Sequence, residues 1–268
     1  MPVFVHSLHI YPIKSCQGID LQQAELTGTG FKYDRHWMLV DRQGQFLSQR
    51  QYPRLARIQT RLDDDALIIG IDGEQQLELP LISDDSQRRE VQLWNDRCSA
   101  ALVSQAANRW FSDFLEIDCE LVFLPESEQR RVDPDYARDR QIVGFADGFP
   151  LLLLSRASID LLNNKLQQQV KINRFRPNIV IDGCDAHAED EWSRISVNAI
   201  DIELVKPCSR CPIPTVNPRT GQKEGPEPLK TLTRYRRRDN KVGFGQNLVH
   251  ESGGQLACGQ LLEVLETG

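Results

Sequence analysis

Residues 205–221 read V-K-P-C-S-R-C-P-I-P-T-V-N-P-R-T-G and leave no room for a helix. Each of the four prolines removes an amide donor and pushes the residue before it toward extended backbone. The alternation I-D-I-E-L-V over residues 200–205 reads as a strand feeding this segment. Cys208 and Cys211 are therefore expected on a stiff, extended loop. Arg210 lies between them as a cation that eases deprotonation of a neighbouring thiol. Such a sulfur suits a metal ligand or a nucleophile. Three other readings stand beside this one. Half of a structural zinc site needs two more ligands at matching spacing, and Cys16, Cys98, Cys119, Cys184 and Cys258 are all singletons. A redox dithiol wants a helix start in a βαβ unit, which C-P-I-P does not provide. The third reading is two cysteines packed as small apolar side chains.

A chain of 268 residues is long enough for one large or two modest domains with a real core. Its net charge of −6 argues against general nucleic-acid binding. The local run R-Y-R-R-R at residues 234–238 is read either as an anion-holding patch or as a solvated face. The N-terminus alternates like a strand and lacks the basic start and apolar run of a signal peptide. Apolar runs such as residues 151–154 fall far short of the roughly 20 residues a bilayer-spanning helix takes. Seven cysteines, an odd number, favour a reducing compartment. The expectation is a cytoplasmic protein with neither nucleic acid nor membrane among its partners.

Along the chain, a strand at residues 3–11 ends at Pro12 and delivers Lys14 and Ser15 into a turn. An ammonium and a hydroxyl placed together are a pairing that grips phosphate. Asp34 and Arg35 precede a strand at 38–41, which a turn and a strand at 45–48 extend into a hairpin. Arg35 at that strand entry is placed to fork onto a carboxylate or a phosphate, Asp34 being the nearest ion-pair partner. Short strands at 58–62, 66–71, 76–79 and 91–93 read as a barrel or curled antiparallel sheet. Residues 103–115 change to helical period, with Ala107, Trp110, Phe111 and Phe114 on one face.

A strand at 120–123 follows, then a charged, proline-containing connection at 125–141 in which Asp133, Asp135 and Asp139 are solvated. Beyond it come a strand at 150–154 and a helix capped by Ser155, with its apolar stripe at Ile159, Leu162, Leu166 and Val170. Arg176 and Asn178 enter a strand at 179–182, again a cation and an amide at a strand mouth. His187 is expected to be exposed in an acidic turn. A short helix within 225–235 and strands at 247–250 and 261–265 complete the chain. The fold class is mainly β (α+β), with an N-terminal barrel-like domain over residues 1–124 and a C-terminal β-barrel with a few helices over residues 125–268.

Five motifs, in this order, carry a family resemblance: Y-P-I-K-S-C-Q-G (11–18), D-R-H-W (34–37), F-R-P-N-I-V-I-D-G-C-D (175–185), C-S-R-C (208–211) followed by T-V-N-P-R-T-G, and F-G-Q (244–246). With these the chain resembles the proteins in which a molybdenum cofactor sulfurase C-terminal (MOSC) domain follows an N-terminal β-barrel domain. Within that family it is most similar to the amidoxime-reducing components and the bacterial reductases of N-hydroxylated compounds. The resemblance implies that Cys211 binds the molybdenum of molybdopterin and is the residue on which catalysis depends. It assigns Lys14, Ser15 and Arg35 to the pterin phosphate, and Arg176, Asn178, Ser209 and Arg210 to the cofactor's surroundings.

A soft thiolate suits dithiolene-bound molybdenum, and an anionic pterin tail wants cations. The implied reaction is reduction of N-hydroxylated base analogues, amidoximes or hydroxylamines. The chain ends at Gly268 without a ferredoxin-like C-x₄-C-x₂-C cluster, so the expected electron donor is a separate flavoprotein or ferredoxin. The alternative implication is a non-catalytic carrier of the cofactor, or of sulfur as a persulfide on Cys211 or Cys208. Asn217 stands where the family more often has aspartate, and Cys258-Gly259-Gln260 replaces a more usual Gly-Asp, which leaves the substrate open.

Overall fold

In the computed structural model, which describes residues 2–72, 76–81, 84–137 and 141–268, the first strand pairs with the far half of the sequence. Phe4–Ile10 runs antiparallel to Ile179–Asp182, with Leu8 opposite Ile179 and an irregularity between Val5 and Ser7. From there the sheet passes through Leu151–Ser155, Lys241–His250, Ile200–Ser209 and Trp192–Val197 to Leu262–Thr267. That last strand reaches back to the first, Leu262 N donating to Val3 O at 2.9 Å and Val5 N to Gln260 O at 2.9 Å. Closure into a barrel removes the unpaired edges an open sheet would present. Alternate side chains point inward, so Val5, Leu8, Leu153, Ile181, Ile195, Ile202 and Leu248 share one core. Leu151–Ser155 and Ile179–Asp182 are parallel. A parallel pair needs a crossover, which the helix Arg156–Asn163 supplies.

The other lobe has a four-stranded antiparallel sheet in the order Trp37–Asp41, Cys119–Phe123, Asp96–Leu102, Arg88–Leu93. A second sheet contains Gln59–Leu62, Ala66–Gly70 and Leu77–Pro80. The helix Gln105–Leu115 turns Ala107, Phe111 and Phe114 into the core with Leu39, Leu67, Ile69 and Leu121. Ser104 caps it by accepting from Ala107 N at 3.1 Å. The two lobes are interlaced in sequence, because Gln23–Thr27 also crosses over, to pair with Gly254–Ala257.

The mainly β class matches the expectation, and several elements differ in extent. The strand from Ile200 does not stop before the cysteines but runs to Ser209. Register irregularities between Leu204 and Lys206 and between Pro207 and Ser209 let it carry a proline that has no amide to give the ladder. Cys208 is thus within a strand, and Cys211 just past its end. The helix expected to reach Val170 ends at Asn163. The Asn163 amide folds onto Val170, donating to its carbonyl at 3.0 Å and accepting from its N–H at 2.9 Å. Leu166 and Val170 therefore pack from a turn.

His187 is half-buried rather than exposed, its backbone N–H donating to Ser158 Oγ at 2.8 Å. The expected hairpin after Asp41 is present in short form, with an antiparallel bridge between Val40 and Phe46 and backbone bonds from Asp41 N to Gln45 O at 2.9 Å and from Leu47 N to Leu39 O at 2.8 Å. The strand Asp96–Leu102 had no clear signal. Asp139 lies outside the described residues. Among the described residues no helix is long and apolar enough to cross a membrane.

Deleting residues 2–27 removes one neighbour from Ile179–Asp182 and the whole partner of Gly254–Ala257. Loss of the cooperative thermal transition of the remaining barrel is expected, read by near-ultraviolet circular dichroism. A retained transition would show that the barrel folds without its first strand.

Candidate functional site

One cleft of about 310 Å³ is lined by Lys14, Ser15, Arg35, Arg176, Asn178, Ser209, Arg210 and Cys211 together. The sequence had placed each at the end of an extended segment, and the barrel brings those ends to one mouth.

Lys14 follows the first strand and is anchored by its N–H to Trp37 O at 2.8 Å. Its buried ammonium donates to Phe145 O at 2.8 Å and to Asp147 Oδ1 at 2.5 Å. Burial pushes the Lys14 pKa down, and the Asp147 carboxylate opposes this. At Asp147 burial pushes up, but Lys14 and then Arg50 outweigh it and hold the carboxyl well below its usual range. The Asp147 side chain is 57% exposed, so water screens the pair.

Ser15, Arg35 and Arg176 all have left-handed backbone, at φ 73°, 46° and 56°. For non-glycine residues this costs on the order of 1 kcal/mol or more each, and such residues cluster at functional sites. Arg35 spends its guanidinium on Asp34 Oδ2 at 2.5 Å, Asn178 Oδ1 at 3.0 Å and Arg176 O at 3.2 Å. Buried Asp34 also accepts Tyr11 N at 2.7 Å. The Tyr11 ring lies between the two guanidiniums, 4.4 Å from Arg35 and 4.1 Å from Arg176.

Arg176 Nη1 donates to Cys16 O at 2.6 Å, while its Nη2 is buried with no acceptor. Burial, and then the neighbouring Arg35, push its pKa down to about 10. A buried donor left unmet costs about 1–3 kcal/mol, so this corner is built for an acceptor that the protein itself does not supply. Asn178 differs. Its amide donates to His9 O at 3.1 Å and accepts from Leu152 N at 3.2 Å and Arg35 Nη1 at 3.0 Å. It braces the cleft wall more than it faces a ligand.

Arg210 is likewise committed, to Phe244 O through Nε at 2.8 Å and Nη2 at 2.5 Å, and to Phe175 O through Nη1 at 2.9 Å. Glycine is required at 245, where φ is 78° and a Cβ would come within 2.6 Å of Leu153 O. These bonds hold the turn that presents half-buried Cys211. The expectation that Arg210 eases deprotonation fails for Cys208: burial pushes that thiol up, with Arg210 only opposing. All seven cysteines are free. Among the described residues no three His, Cys, Asp or Glu side chains converge as metal ligands. A metal on Cys211 would take its other ligands from a bound group.

Arg50, Asp147, Arg174 and Lys206 also line the cleft and escaped the sequence reading. A-D-G-F at residues 146–149, just before a buried strand, carries the same strand-mouth signal as Arg35 and Arg176 and marks Asp147. The other three had no local signal. In all, seven cationic side chains and one carboxylate line the cleft; Arg35 and Arg174 are paired behind it with Asp34 and Glu224, and the remaining excess of cations suits an anionic ligand.

The chain matches the MOSC N-terminal beta barrel domain over residues 3–118 and the MOSC domain over residues 140–263. It is 34% identical to mitochondrial amidoxime-reducing component 1 of Mus musculus, across 97% of this chain and 82% of that protein. Identity to mitochondrial amidoxime reducing component 2 of Bos taurus is 34%, across 87% and 72% respectively. Identity to the molybdenum cofactor sulfurase of Solanum lycopersicum is 31%, across 93% of this chain and 33% of that protein.

Beside Arg35, the His36 ring packs against Trp37 at 4.7 Å and Phe123 at 5.9 Å, and burial pushes its pKa down to about 4. The unfolded chain, with a histidine near 6.5, binds the extra proton first. Stability is therefore full above about pH 6.5 and falls as pH drops toward 4, by up to about 3 kcal/mol. Urea midpoints between pH 4 and 7 should show this loss, and His36→Gln should flatten it. An equal slope in both proteins would assign the loss elsewhere.

Proposed function

Since this chain belongs to the MOSC family, with amidoxime-reducing components among its relatives, we propose that it is a molybdenum-cofactor oxidoreductase acting on N-hydroxylated small molecules. Its substrates are amidoximes, hydroxylamines or N-hydroxylated base analogues, and its electrons come from a separate flavoprotein or ferredoxin. The observation that carries this reading is the unmet buried donor of Arg176 in a cation-lined cleft that also holds Cys211.

The residues present fit the cofactor. Lys14, Ser15 and Arg35 stand where a phosphate would gather charge-assisted hydrogen bonds of about 1.5–3 kcal/mol each. Arg176 offers Nη2, and Cys211 offers a soft sulfur. When bound, molybdopterin-held molybdenum supplies the two-electron chemistry by which N–OH, two electrons and two protons become N–H and water.

The chain's own residues hold and orient. Arg210 fixes the turn bearing Cys211, and Asn178 fixes Arg35. Asp147, held ionised, anchors Lys14 and is no proton donor near neutral pH. Cys208, raised by burial, stays a neutral thiol. Seven free thiols suit a reducing compartment, here the cytoplasm.

A second reading, a carrier of cofactor or sulfur, draws on the similarity to molybdenum cofactor sulfurase. Protein made in a cofactor-producing host separates the two. Stoichiometric molybdenum with turnover of benzamidoxime supports the reductase, and loaded protein inert toward every donor supports the carrier.

Cys211→Ala should abolish turnover and lower bound molybdenum, while Cys208→Ala should retain most of both. Equal loss from the two would favour a dithiol. Lys14→Ala and Arg176→Gln should each lower the pterin content of purified protein about tenfold. Unchanged content in both would remove the phosphate and pterin roles given to them.

A further inference from the structure

The helix Leu229–Arg236 runs directly into a hairpin, with Arg237 opposite Val242 and Arg238 opposite Lys241. The two turn residues, Asp239 and Asn240, have φ 47° and 62°, the geometry of a tight two-residue connection that matches strand twist. The result is a short, stiff spur. Residues 230–241 hold six cations and one carboxylate in a chain whose net charge is −6. Only Arg236 turns inward, to Asp190 and to Gly243 O at 3.1 Å.

Lys230 and Arg234, four apart on the helix, share a face. Together with Arg238 and Lys241 they are exposed and make no ion pair among the described residues. Arg237 reaches only Asn240 Oδ1, at 2.7 Å. Like charges crowded without counter-charges repel one another, so the spur gains from an acidic surface laid against it.

The stem of the spur is part of the site. Val242 O accepts Arg210 N at 2.9 Å, Gly243 pairs with Ser209, and Phe244 O takes the Arg210 guanidinium. At roughly 3.3 Å per residue the hairpin tip stands within about 10 Å of the Arg210 backbone, and Cys211 is the next residue. Charge and position thus coincide. We propose that this basic spur is the docking surface for a small acidic one-electron carrier protein, set beside the segment that presents Cys211. This rests on the reductase reading above. A nucleic acid or an anionic membrane would satisfy the charge but has no reason to sit beside the cysteine.

The test uses the full chain loaded with cofactor and two reductants, a reduced plant-type [2Fe–2S] ferredoxin and reduced methyl viologen. The variant is Arg234→Glu/Arg238→Glu/Lys241→Glu, all three on the exposed face. The KM for ferredoxin should rise about tenfold or more, and wild-type ferredoxin-driven turnover should fall steeply with added salt. Methyl viologen turnover should stay unchanged in both proteins.

An unchanged KM for ferredoxin, an equal loss with both reductants, or tighter binding of a short RNA or phosphatidylserine vesicles than of ferredoxin would each overturn the proposal. Absence of methyl viologen turnover in the wild type would instead sink the reductase reading. Docking is then judged by calorimetric titration with oxidised ferredoxin, where binding weakened by the variant supports the surface and no binding to the wild type overturns it.

Discussion

The side-chain amide of Asn178 is the knot on which the cleft depends. It lies fully inside the protein and joins the first strand at His9, the parallel neighbour at Leu152, and Arg35 from the other lobe. A buried amide this well used is expensive to misplace, because each unmet partner costs about 1–3 kcal/mol. With it in place Arg35 has one position, Asp34 follows, and Tyr11 is clasped between two guanidiniums. The lobes meet through these hydrogen bonds at the same place where the cleft opens.

Around that knot the protein accumulates features that oppose its own stability. Three non-glycine residues hold left-handed backbone at the cleft, and Arg176 buries a donor with nothing to accept it. Seven cations and one carboxylate line the wall, with Asp34 and Glu224 behind it pairing Arg35 and Arg174. A bound polyanion relieves the last two at once, which is the physical reason a site of this kind reads as a cofactor cradle instead of a structural ion network. The cysteines show the same division of labour. Cys208 is committed to a strand and kept neutral by burial, whereas Cys211 lies just past the strand, on a turn tied down by Arg210.

Much of this was legible in residue order. Prolines at 207, 212, 214 and 218 ruled out an α-helix and left only the single 3-10 turn Ile213–Thr215, alternation marked most strands, and the aromatic stripe from Ala107 to Phe114 marked a core helix. The candidate residues stood out because each was a charged or polar group at the mouth of a strand. Strand ends were harder. Pro207 signalled a stop, but irregular register carried the strand on to Ser209, and the apolar stripe past Leu162 hid the break that Asn163 makes. Arg50 and Lys206 left no local mark, since their roles come from which distant segments face them.

By itself, then, the order of residues determined the β class, the rigid presentation of Cys211 and the chemistry available at each strand mouth, because local periodicity and backbone restriction act over a few residues. Only the tertiary structure decided that Phe4–Ile10 belongs to the C-terminal barrel, that Asn178 braces while Arg176 is left wanting, and that burial outweighs Arg210 at Cys208. Those outcomes turn on burial and on pairing between segments far apart in the chain, and both are set by the closed barrel.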